Sequence, residues 1–318
     1  MTMRYFIEFQ YYGVGYKGFQ RQPTIKNTIQ ETVEVALGKI FLQEIEIFAS
    51  GRTDVGVHAI LQTAHFDIHY RDAIVNHQPH NFVTRVNDNL KNDNQSSNKF
   101  HQNNNLDIPN QLIINPTKDI NESSTNNIQH SVLNEIVSPQ KLILACNHFL
   151  PPSIRVLNAQ TVDDNFHARY SVKSKTYEYL LYSGIECPLW QNRAHRLSKE
   201  LDIDKVQLSL QYLLGKKDFS VYMSKGSSVK GTVRTVYDAQ VTTHPNEYNP
   251  YNSTLYKFQI TASGFLYNMV RKITAHLIQI GQSKLPPQSI KTVLESNDRE
   301  TTKNLVPAYG LYLKKVEY

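Results

Sequence analysis

Gly51-Arg-Thr-Asp-Val-Gly-Val-His-Ala59 lies between two stretches, residues 44–50 and about 61–70, in which apolar and polar residues alternate. Alternation with period two is the pattern of a strand with one buried face. The nine residues are therefore expected to connect two strands. They place Arg52, Asp54 and His58 among glycines that tolerate tight backbone angles. A carboxylate beside arginines is favoured in its ionised form. Held in position, such a carboxylate is a competent nucleophile toward an electrophilic carbon. The same residues would also suit a plain turn in which Asp54 caps the loop and pairs with Arg52.

Outward from this loop, strands and helices alternate along the chain. Residues 4–11 read as a first strand, followed by a turn through Gly13, Gly15 and Gly18. Thr28-Ile-Gln-Glu31 is a capping box, and a helix should follow it with Ile29, Val33, Ala36, Leu37 and Ile40 on one face. Ser138-Pro139 opens a second helix, to about Phe149, that buries Leu142, Ile143, Cys146 and Phe149. Strands are expected near 154–159 and 175–182, and a helix over 204–214 closed by Gly215. Further strands fall near 234–242 and 256–262. The most regular helix, 266–280, turns Met269, Val270, Ile273, Leu277 and Ile280 inward. A short helix near 287–294 and a strand over 311–318 end the chain. No element has the length typical of a parallel α/β protein, so the expected class is α+β, a mixed sheet with helices on one face.

Between about 72 and 137 asparagine, glutamine, serine and aspartate dominate, as in Gln102-Asn-Asn-Asn105 and Asn121-Glu-Ser-Ser-Thr-Asn-Asn127. That stretch is too polar to bury a core and reads as a disordered surface insertion. The two expected units are residues 1–160, carrying the Asp54 loop and this insertion, and 161–318. The net charge of +6 suits an anionic partner without identifying one. Two cysteines in different contexts, Cys146 and Cys187, exclude a disulfide framework and fit a reducing compartment. The strand-like first residues lack the pattern of a signal or transit peptide. No stretch approaches the roughly 18 apolar residues of a membrane span. The expectation is a cytoplasmic protein with no membrane partner.

Gly13-Val-Gly-Tyr-Lys-Gly18 matches the dinucleotide-binding fingerprint letter for letter. A phosphate-cradling loop must open directly into a helix, however, and here Phe19-Gln-Arg-Gln-Pro23 intervenes. The glycines are better explained as shaping a turn. His58, His65 and His167 sit in separate segments without metal-ligand spacing, so no metal site is expected.

The loop at 51–59 resembles, at every fixed position, the catalytic signature of the TruA-type tRNA pseudouridine synthase family. Other motifs of that family occur in order: Tyr16-Lys-Gly-Phe-Gln20, Thr28-Ile-Gln-Glu31, Phe166-His-Ala-Arg169 and Lys175-Thr-Tyr-Glu-Tyr179. After them come Gly215-Lys-Lys-Asp-Phe219, Phe265-Leu-Tyr-Asn-Met-Val-Arg271 and Pro307-Ala-Tyr-Gly-Leu-Tyr-Leu313. Ala275 departs from the glycine the family often has on the long helix. The resemblance implies a mainly antiparallel mixed sheet built from two ferredoxin-like halves around a basic cleft. It further implies that Asp54 is the nucleophile, that Arg52 enters the RNA in place of the flipped base, and that Arg271 is the basic partner of Asp54. Tyr177 would stack on the uracil and Leu311 would wall the pocket. On the residues alone, Tyr177 and Leu311 suit a core equally well, and Arg271 suits a solvated helix. The implied reaction, isomerisation of uridine to pseudouridine, needs no cofactor. The implied partner is tRNA bound across a homodimer, with target uridines in the anticodon stem-loop at roughly positions 38 to 40, reached by base flipping. Attack on uracil C6 and attack on ribose C1′ are both compatible with the sequence. A catalytically silent RNA-binding protein would have no chemical need for Arg52, Asp54 and Tyr177 together.

Overall fold

The computed structural model describes residues 2–69, 138–226, 229, 231–249, 251, 253–296 and 300–318. The polar insertion expected at 72–137 lies outside the described residues. Ten strands form one sheet in the order β4-β1-β3-β10-β5-β9-β8-β7, with β2 added to β3 and β6 to β5. The strands are β1 Thr2–Tyr11, β2 Phe48–Ala49, β3 His58–His69, β4 Ile154–Val162 and β5 Ser174–Tyr182. They continue with β6 His195–Arg196, β7 Gly215–Asp218, β8 Val233–Pro245, β9 Thr254–Ala262 and β10 Leu311–Glu317. Five helices accompany them among the described residues: α1 Ile29–Phe41, α2 Pro139–Phe149, α3 Ile203–Leu210, α4 Met269–Gly281 and α5 Ser289–Ser296.

The order of elements resolves into two copies of one pattern. β1-α1-β2-β3-α2-β4 is a βαββαβ unit whose strands lie in the order 4-1-3-2. β5-α3-β8-β9-α4-β10 is a second such unit with the same order. Both are the ferredoxin-like arrangement. They meet where β10 runs parallel to the start of β3, Tyr312 beside His58 and Leu313 beside Ala59. The short β2 pairs farther along the same strand, at His65 and Ala64. The loop from Ser50 to Val57 therefore leaves the sheet where the two units join.

Each helix presents an apolar stripe to one face of the sheet. Ile29, Val33, Leu142, Cys146, Val206, Ile273, Leu277, Ile290 and Val293 join Tyr5, Ile7, Phe9, Tyr179 and Phe258 in a single core. The opposite face of β5 carries Leu180 and Tyr182, covered by Cys187 and Ala194 in a smaller cluster. Thr28 caps α1, its hydroxyl accepting from the Glu31 amide at 3.2 Å, while the Glu31 carboxylate accepts from the Asn27 amide at 2.9 Å.

Three local expectations are corrected. The strand expected at 44–50 is reduced to Phe48–Ala49, which pairs with His65 and Ala64, while β10 takes the start of β3 at His58 and Ala59. Gly215 does not end a helix. After α3 a 3-10 turn covers Gln211–Leu213, and Gly215, with φ +90°, begins β7. Phe149 is 42% exposed rather than buried, with the Lys39 ammonium 5.6 Å from its ring centroid.

Candidate active site

The 50–57 loop is held from both sides. Behind it, the fully buried Gln62 on β3 uses both ends of its amide. Its Oε1 accepts from the Ser50 hydroxyl at 2.7 Å and the Thr63 amide at 3.1 Å, and its Nε2 donates to the Gly51 carbonyl at 3.0 Å. The Tyr11 and Thr53 hydroxyls are hydrogen-bonded at 2.7 Å. In front, the glycine turn of residues 13–18 lies against the loop, with the Phe19 amide donating to the Thr53 carbonyl at 3.1 Å. A Cβ on Gly13 would sit 1.9 Å from the Val57 carbonyl oxygen, so only glycine allows this approach. The turn thus serves the loop and does not lead into a helix, since α1 begins only at Ile29.

Within the loop the Val57 amide donates to the Asp54 carbonyl at 3.1 Å, and Gly56 adopts φ +79° at the third residue of this turn. His58 fastens the exit. Its Nδ1 accepts from the Gly13 amide at 3.0 Å, so the opposite nitrogen carries the proton and faces the Asn192 and Tyr309 carbonyls, each at 3.0 Å. Its ring stacks on Tyr312. His65 and His167 likewise accept from backbone amides, those of Ala168 and Arg169, each at 3.1 Å.

Asp54 is brought to Arg271, whose Nη1 lies 3.9 Å from its Oδ2. Arg271 stands in the first turn of α4, where a cation opposes the helix dipole. It is fixed there by donating from Nε to the Val306 carbonyl at 2.9 Å and from Nη1 to Asn268 Oδ1 at 2.8 Å. Asn268 takes a left-handed φ of 61° at the N-cap. The neighbouring cation acts in the expected direction, and burial acts against it. Burial raises the Asp54 pKa, and the attraction of Arg271 offsets only part of that. Burial likewise lowers the pKa of Arg271.

Tyr177 and Leu311 line the same face of the sheet. Tyr177 on β5 is opposite Leu313 on β10, and Leu311 is opposite Tyr179. Tyr177 is buried, meets Phe265 edge to face at 5.0 Å, and has its pKa raised by burial, then by Tyr11 and Asp54. Leu311 is buried in the main core. The Tyr179 hydroxyl donates to the Pro307 carbonyl at 2.6 Å, and its ring lies so close to Gly310 that a Cβ there would come within 2.6 Å of it. Arg52 is exposed, and the ion pair of Asp54 among the described residues is with Arg271. The pKa of Arg52 is lowered by partial burial and then by Arg169. Gln62 and Tyr11 escaped the sequence reading, and Asn268 and Lys175 entered it only within longer motifs, without a site role. The signal of Gln62 and Tyr11 lies in spatial neighbours far away along the chain.

Residues 210–318 match the tRNA pseudouridine synthase family. Over 310 residues, 97% of both chains, the protein is 32% identical to tRNA pseudouridine synthase A 2 of Clostridium perfringens. This chain belongs to the tRNA pseudouridine synthase family. An equal identity and coverage relate it to tRNA pseudouridine synthase A of Caldicellulosiruptor bescii. The enzyme of that name from Limosilactobacillus reuteri is 31% identical over 99% of this chain and 96% of its own. In this member of the pseudouridine synthase family, the 50–57 loop lies at the junction of the two βαββαβ units.

Proposed function

We propose that this protein isomerises uridine to pseudouridine in tRNA, with Asp54 as the nucleophile, and that its targets lie in the anticodon stem-loop at roughly positions 38 to 40. The observation that carries the reading is the Asp54 carboxylate, held on a doubly braced loop 3.9 Å from Arg271. Arg271 favours the ionised carboxylate before attack and orients it. The Tyr177 ring offers a face to an extruded uracil, Leu311 bounds the pocket, and Arg52 fills the vacated place in the RNA stack. The C1′–N1 bond breaks, the uracil turns, and C1′ joins C5. The proton leaving C5 balances the one gained at N1, so no cofactor or co-reactant is consumed. Two copies of the chain together hold one tRNA.

Incubation of the pure protein with unmodified tRNA transcripts, followed by mapping at nucleotide resolution, tests the reading. Pseudouridine is expected in the anticodon stem-loop. Asp54→Asn is expected to abolish it while leaving tRNA affinity within about threefold, because affinity comes from dispersed phosphate contacts. Turnover by a clean Asp54→Asn preparation would remove the nucleophile assignment. Modification confined to another arm of the tRNA would remove the target assignment.

A further inference from the structure

Some cations near the sheet are neutralised by a carboxylate. Arg4 pairs with Asp67 at 2.7 Å, Lys314 with Glu178 at 2.8 Å, and Arg21 with Glu34 at 3.2 Å. Three other cations cluster around the catalytic loop. Among the described residues, Arg52, Arg169 and Lys175 have no carboxylate within ion-pair distance, although their charges are close enough to act on one another. Repulsion of this kind costs stability in the free protein and turns into attraction when an anion arrives.

Lys175 and the turn that carries Arg169 are held in place. Lys175 Nζ donates to the Ser50 carbonyl and lies under Gly51, 2.5 Å from where a Cβ would stand. That leaves two of its three N–H groups. Arg169 is exposed on a turn fixed at four points. The Ala168 amide donates to His65 at 3.1 Å and the Tyr318 hydroxyl to the Ala168 carbonyl at 2.9 Å. The Arg169 amide donates to His167 at 3.1 Å and the Ser171 amide to the His167 carbonyl at 2.9 Å. A rigid turn presenting an unpaired arginine has no evident structural purpose here. Burial, reinforced by Arg169, pulls the Lys175 ammonium down to about 8, as expected where the compensating anion is absent.

We propose that Arg169 and Lys175, with Arg52 beside them, form a subsite for one phosphodiester of the RNA strand that enters the cleft. A guanidinium fork and a point-like ammonium together suit the two non-bridging oxygens of such a group. Lys175 lies two residues before Tyr177 on the same face of β5, and its Nζ touches the backbone of the Asp54 loop. The bound phosphate is therefore one that flanks the extruded nucleotide, and the contact holds the strand while the base leaves the stack. This inference rests on the RNA-modifying function proposed above.

The test uses synthetic anticodon stem-loop RNAs, each with one neutral methylphosphonate in place of a phosphate near the target uridine. Binding to the full chain and to its Arg169→Gln and Arg169→Lys variants is measured by anisotropy over a salt series. The unaltered protein is expected to lose about tenfold in affinity at one flanking position, the scale of a charge-assisted contact. Arg169→Gln should lose about as much on the all-phosphate RNA, with a salt slope shallower by about 1. It should then be indifferent to methylphosphonate at that same position, and Arg169→Lys should recover part of the loss. Arg169→Gln losses that simply add to those of every methylphosphonate, or an unchanged slope, would overturn the subsite. Pseudouridine formation by the parent on the unaltered stem-loop separates the two readings. If it forms and the slope is unchanged, only the subsite fails. If none forms, both fall.

Discussion

The two βαββαβ units share a strand order and differ in the length of their second strand. In the second unit β8 and β9 are long, 13 and 9 residues, and pair from Val236 to Pro245 with one bulge. In the first unit β2 has only two residues against the twelve of β3. The unpaired length of β3 is partly occupied by β10 from the other unit, and the freed chain becomes the loop that carries Arg52 and Asp54. Shortening one strand has opened a place for chemistry, while the full-length hairpin in the other unit supplies the wall holding Tyr177. A glutamine on the third strand marks the same contrast. Gln62 on β3 is fully buried under the loop, whereas Gln259 on β9 is half-buried and bonds Glu178 at 2.7 Å.

The most damaging way to break this division is Gly13→Ala. Its Cβ would collide with the Val57 carbonyl, so a stability loss of about 3 kcal/mol is expected together with loss of turnover, read by thermal melting and pseudouridine assay. An unchanged melt would mean that the glycine turn does not bear on the loop. Next is Gln62→Leu, which leaves the Ser50 hydroxyl, Gly51 carbonyl and Thr63 amide without their partner. A drop of at least about tenfold in kcat, with tRNA affinity nearly constant, is expected on the scale of one buried group left unpaired. Gln259→Leu should cost far less turnover. Equal losses at the two glutamines would erase the functional difference between the units.

The smallest effect concerns Asp54 itself. Its pKa is raised on folding, so the folded state holds this proton more tightly than the unfolded chain does. The carboxyl therefore favours folding at acid pH and loses that contribution as pH rises through its folded value. Asp54→Asn should melt slightly higher than the parent at pH 7, with the gap closing toward about pH 4. A lower melt for Asp54→Asn at neutral pH would show that the Arg271 pair outweighs burial.

Much of the molecule was legible along the chain because its signals are short-range. Thr28 and Glu31 announced α1, Ser138-Pro139 announced α2, and the spacing of Ile273, Leu277 and Ile280 announced the buried stripe of α4. The reading failed at the ends of elements, which its short-range signals did not mark. Only Phe48–Ala49 of the strand expected at 44–50 pairs with β3, and a 3-10 turn replaced the end of the helix expected at 204–214. The candidate site divides in the same way. The loop was visible as a motif, and the family resemblance supplied Tyr177, Arg271 and Leu311. Gln62 and Tyr11 had no local signature, because an amide under a loop looks like any polar residue on a strand.

By itself the sequence determined the chemical groups, the glycines that let them crowd together, and the periodicity that fixes each helix and strand. Those properties depend on residues within a turn or two of one another. The tertiary structure alone decided that burial outweighs Arg271 in setting the pKa of the Asp54 carboxyl. It alone also left Lys175 and Arg169 without carboxylates beside the same loop. Desolvation and charge pairing are sums over everything nearby in space, and the order of strands in the sheet determines what is near.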